Sequence, residues 1–216
     1  MANADPVFTR NLIIKANDLG AAATLMLTFD KDIKGLYNDN FPLCWKVTSF
    51  GKEGGYTMRA TFKSQLGFVK PQVESDIIVG ASTYKILDVG QKTTLTKDDR
   101  GVYHFSDPVP GEDGYLKAVN GCPLREDMAL GFPLTPGAEP TPVLYFNKIG
   151  HEASIIAQFT PVLRAYITEQ YQETQILRGE VSTPSFWEQD LADLDETTNW
   201  RLELNKSSGV YKLVQV

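Results

Sequence analysis

Apolar side chains recur at every second position through most of this chain, and only a strand with one buried face satisfies that period. Leu12, Ile14 and Ala16 share a face with Phe8, and Leu25, Leu27 and Phe29 repeat the pattern after a turn at 18–20. Trp45 and Val47, the loop GKEGG, and then Tyr56, Met58, Ala60 and Phe62 read as a hairpin. A second hairpin joins 91–96 to 102–105 across KDDRG, whose Asp and Gly residues tolerate a tight reversal. Further strands are expected within 77–89 and at Ala153, Ile155, Ala157 and Phe159. Trp200, Leu202 and Leu204 form another, and 210–216 closes the chain.

Two segments carry helical signals. Thr183-Pro184 reads as a cap and first helical residue, and Phe186, Trp187, Leu191 and Leu194 then recur at helical spacing, which predicts a helix near 184–195. Residues 161–177 fit either reading: Leu163, Tyr166, Ile167 and Tyr171 share a helical face, while Leu163, Ala165 and Ile167 alternate as a strand would. The expected fold is mainly β, an antiparallel sandwich-like architecture of two packed units with one or two short helices in the C-terminal third. The units are 1–105 and 143–216. Between them, 106–142 holds seven of the twelve prolines and five glycines, and reads as a connection or lid. A strand–turn–strand echo relates 12–29 to 144–159.

Charge is unevenly placed. Residues 1–105 carry 13 basic and 11 acidic side chains, and 106–216 carry 8 and 16, so the halves differ in sign and the whole is −6. That balance provides no phosphate-tracking surface and disfavours nucleic acid and anionic membranes, while the opposed halves could pair between copies as a homo-oligomer. The opening MANADPVFTRNLIIK has no basic stretch followed by an apolar run, so a cytoplasmic location is expected. Cys44 and Cys122 are too few for a disulfide framework and read as free thiols.

Catalytic chemistry has little to work with. His104 and His151 sit in no metal-binding spacing, Cys122 has no local base, and no nucleophile elbow, phosphate loop or dinucleotide fingerprint occurs. No catalytic residue and no metal is predicted. Asp30-Lys31-Asp32 with Gly35 opens like a calcium loop but has Phe41 where the closing glutamate belongs. Glu188, Asp190, Asp193, Asp195 and Glu196 form an acidic group that reads as a solvated face.

The remaining resource is aromatic. Tyr103, Phe105, Tyr115 and Phe132 lie in or beside the proline-rich stretch and are the candidate ligand-binding residues, since rings held by a stiff loop suit stacking on a flat ligand. The segments PVFTRNLIIKANDLGAAATLMLTF at 6–29 and FTPVLRAYITEQYQETQILRGEV at 159–181 give the chain an overall resemblance to soluble β-rich proteins of mushroom fruiting bodies, the pink chromoproteins among them. This resemblance implies a fungal chromoprotein that binds a small aromatic organic ligand without catalysis, as a non-covalently held, indolone-type chromophore; it transfers no site residue. Two other readings stay open. One is a cytosolic lectin binding a glycan through Asn38-Asp39-Asn40 and Trp187, and the other is an enzyme of unknown class.

Overall fold

The computed structural model describes residues 7–31 and 36–216, which form four β-sheets around one aromatic-rich core. Sheet A runs β18 (Val210–Gln215), β17 (Thr197–Asn205), β1 (Thr9–Asn17), β5 (Gly55–Lys63). Sheet B runs β16 (Trp187–Asp190), β15 (Val162–Ile167), β2 (Ala23–Thr28), β4 (Lys46–Phe50). Sheet C runs β3 (Asn40–Pro42), β13 (Thr141–Ile149), β12 (Glu126–Phe132), β6 (Leu66–Glu74), β7 (Ile77–Leu87). Sheet D runs β10 (Val109–Pro110), β8 (Gln91–Lys97), β11 (Leu116–Asn120), β14 (Ser154–Ala157), with β9 (Tyr103–Phe105) also on β8. Most neighbours are antiparallel, and the two parallel contacts are β1 with β17 and β8 with β11.

The mainly β, sandwich-like expectation holds, whereas the helices do not form. Residues 162–167 are strand β15, and the predicted helix near 184–195 is strand β16 followed by a single 3-10 turn at Leu191–Asp193. The turn is capped by Asp190, whose carboxylate accepts the Ala192 N–H at 2.9 Å. Helical spacing misled here because Leu191 and Leu194 are buried from a turn and its exit, a placement that copies one helical face over so short a span.

Every sheet draws strands from both sequence halves, so 1–105 and 143–216 are interleaved and share one core. The proline-rich stretch 106–142 is part of that core: it supplies β10, β11 and β12, and Leu116, Ala118, Met128, Leu130 and Phe132 are buried. The hairpin expected across GKEGG is absent, because β4 pairs with β2 in sheet B and β5 with β1 in sheet A. The β8–β9 hairpin across KDDRG is present.

The interleaving follows a rule. Exchanging sheet A with D, and B with C, carries the strand series β1, β2, β4, β5, β6, β7, β8, β9 onto β11, β12, β13, β14, β15, β16, β17, β18, with every pairing preserved, including the two parallel ones. In sheet B, Met26 opposes Tyr166 and Val47; at the equivalent place in sheet C, Ala129 opposes Val69 and Tyr145. The chain is thus a topological duplication whose halves exchange their last four strands. Only β3 and β10 fall outside it. The counterpart of β1–β2 is β11–β12, so the duplication aligns differently from the echo of 12–29 with 144–159.

At the centre, Phe29 and Phe132, which are duplicates of one another, meet edge-on at 6.1 Å; Trp45 and Phe62 also contact both. Fully burying rings of this size contributes on the order of 2–3 kcal/mol each. Smaller clusters cover the outer faces: Phe41, Leu43, Tyr145 and Ile176 on sheet C, and Met26, Cys44, Tyr166 and Leu177 on sheet B.

Candidate functional site

A cleft of about 340 Å³ lies where sheets C and D meet. Leu130 of β12, Leu144 and Phe146 of β13, and Ile156 and Ala157 of β14 line it, and Phe159 and Thr160 continue its wall beyond β14. Tyr115 enters from the turn before β11, where its N–H donates to the Glu112 carbonyl and its own carbonyl accepts from Gly90 N–H at 2.8 Å. Gly114, at φ 83, makes that turn possible. Lys31, Asn40 and Gln158 add polar groups. The apolar wall is backed by the core: Phe159 meets Phe29 at 5.2 Å and stacks on Phe62 at 6.3 Å.

Of the four rings singled out in the sequence, Tyr115 lines this cleft and the others do not. Phe132 is fully buried at the centre of the core, and Phe105 is buried on β9 opposite Leu95. Tyr103 is half-buried in a charge network, its hydroxyl donating to the Glu126 carboxylate at 2.9 Å while Lys97 and Lys70 lie 4.6 and 5.0 Å from its ring centre. Glu126 and Lys70 are themselves buried and paired at 3.1 Å. Such an ion pair needs each partner to offset the desolvation of the other. Phe146 and Phe159, which do shape the cleft, stand out in no sequence motif.

A second polar cluster sits on the outer side of sheet B. Asp30, just past β2, is 6% exposed; its Oδ2 accepts the Tyr166 hydroxyl at 2.6 Å and its Oδ1 has no hydrogen-bond partner among the described residues. Arg164 Nη1 is 3.8 Å from that oxygen, and Arg164 Nε donates to Glu188 at 2.9 Å. Lys31 also pairs with Glu188. Burial pushes the Asp30 carboxyl above its ordinary value, outweighing the Tyr166 hydrogen bond and the Arg164 charge. Burial, with the charges of Asp30 and Glu180, pushes the Tyr37 hydroxyl up to about 12. Burial alone would lower the Arg164 guanidinium, but Glu188 and Asp30 hold it above its usual range.

The other sequence candidates have ordinary surroundings. His104 is exposed beside Asp98 at 3.4 Å, and His151 Nδ1 lies 2.8 Å from the Cys122 carbonyl. Cys44 and Cys122 are buried free thiols, and burial pushes the Cys44 thiol up to about 12, away from reactivity. Trp187 is half-buried edge-on against Trp200 at 5.0 Å, and Asn38 and Asp39 lie in an exposed turn. Asp32 and Gly35 of the calcium-like opening lie outside the described residues, among which no group of His, Cys, Asp or Glu could hold a metal ion. No described helix is long and apolar enough to cross a membrane.

The fold and cleft define an all-β protein with an aromatic-lined recess and a buried carboxylate nearby. No protein-family profile, no curated protein and no solved structure matches the chain.

Proposed function

We propose that the protein binds a small planar aromatic molecule, without catalysis, in the cleft between sheets C and D. The observation that carries the reading is the wall formed by Tyr115, Phe146 and Phe159 with Leu130, Leu144 and Ile156, in a recess whose volume of about 340 Å³ is in the range of small-molecule sites. Flat ligands stack on such rings, while Lys31, Gln158 and Thr160 offer hydrogen bonds to a carbonyl or ring N–H. An indolone-type chromophore has this shape and polarity, which agrees with the resemblance to mushroom chromoproteins.

Isatin, a stable indole dione, serves as probe. Calorimetric titration is expected to show saturable one-to-one binding, weakened about two- to tenfold by Tyr115→Ala, the loss corresponding to one aromatic contact. Protein from its natural source is expected to carry a visible absorbance band. Absence of saturable isatin binding, together with a colourless native preparation, would overturn the reading.

A further inference from the structure

The Asp30 cluster is not demanded by the fold. The duplication places Val69 where sheet B has Tyr166, Gly67 where it has Arg164, and, counting on from β12, Pro133 where it has Asp30. At these three matched positions sheet C therefore carries no acid, phenol or guanidinium. Leaving a carboxylate oxygen buried and without a donor is costly, and here the cost falls beside a cavity. That open pocket, of about 360 Å³, is lined by Asp30, Tyr37, Arg164 and Tyr166 and, from the 180–185 segment, by Glu180, Thr183 and Ser185.

The geometry selects among ligand chemistries. Asp30 Oδ1 and Arg164 Nη1 are 3.8 Å apart, too far to bond each other well but suitably spaced for one oxygen at about 2.8 Å from both. A hydroxyl there donates to the carboxylate and accepts from the guanidinium. An ammonium at that point meets the charge of Arg164, and an anion meets that of Asp30. Hydroxyls of Tyr37, Thr183 and Ser185 and the carboxylate of Glu180 can address further hydroxyls of the same ligand. Oδ1 is sealed from solvent, so a ligand hydroxyl must displace a side chain at the rim to reach it.

We infer that this pocket is a second binding site, independent of the aromatic cleft, for a neutral polyhydroxylated ligand of the monosaccharide class, with Asp30 and Arg164 clasping one hydroxyl. Amide NMR titration with D-glucose, D-galactose, D-mannose and myo-inositol tests it. At least one probe is expected to give saturable shifts confined to 180–185 and the neighbourhood of Tyr37. Asp30→Asn, nearly isosteric, is expected to weaken this binding about tenfold or more, the loss of a hydrogen bond to a charged group. Tyr115→Ala is expected to leave it unchanged, which separates this site from the cleft. Should Asp30→Asn fail to fold, Ser185→Trp, at a half-buried lining position, fills the pocket and is expected to abolish the shifts. Three results would overturn the inference: no probe binds, choline binds in place of all four, or binding survives both substitutions.

Discussion

Asp30 illustrates how a single residue can be fully visible in a sequence and yet unreadable. Its place in Asp-Lys-Asp suggests cation ligation, whereas its partners Arg164 and Tyr166 lie over 130 positions away and no linear spacing announces them. Burial leaves a thermodynamic signature. Because the folded-state pKa of Asp30 is raised above 3.8, the native protein holds this proton at pH values where the unfolded chain has released it. Its contribution to stability is therefore greatest in acid and declines as pH rises from about 3.8 through the folded value. Urea unfolding across pH 4–8 is expected to show the stability of wild type, relative to Asp30→Asn, falling with pH over that window; a flat or rising difference would contradict it. Phe132 shows the opposite case. Its ring is legible as important, but its position next to prolines suggests a loop, and only the pairing of β12 with β13 places it at 0% exposure.

Strand existence follows from the two-residue period because the period is local: Leu12, Ile14 and Ala16, or Met58, Ala60 and Phe62, are buried as the alternation requires. Strand partnership is not local. GKEGG looks like a hairpin loop, yet β4 and β5 part into different sheets, because each completes a buried face with an earlier strand. The β12–β13 pair shows how tightly such partnerships are drawn. A Cβ on Gly131 would sit 2.2 Å from the Thr141 carbonyl oxygen, at a register shift between Leu130 and Gly131. Gly131→Ala is expected to destabilise the protein by about 3 kcal/mol, since backbone must move. Gly179→Ala, with nothing within 4 Å of its Cβ position, is expected to stay within about 0.5 kcal/mol, as chemical denaturation of both variants can check.

At the scale of the molecule, neither the duplication nor its exchange of strands was legible: the echo of 12–29 with 144–159 sets β1–β2 against β13–β14, whereas the counterpart of β1–β2 is β11–β12. Sheet order depends on which face each strand must bury, and that is decided by strands distant in sequence. The exchange assembles the proposed pocket, because Asp30 and Tyr37 come from one half and Arg164, Tyr166 and the 180–185 segment from the other. The cleft likewise joins Lys31 and Asn40 to walls from the second half. Neither half has a closed core without the other's strands. Cutting the chain at the exposed turn between Asp113 and Gly114 tests this most directly, with the two fragments purified apart and then mixed. Interleaving predicts that neither fragment forms a folded monomer, and that mixing restores a one-to-one complex with native circular dichroism and a cooperative melt. A fragment that folds alone as a monomer, with its own cooperative transition, would contradict it.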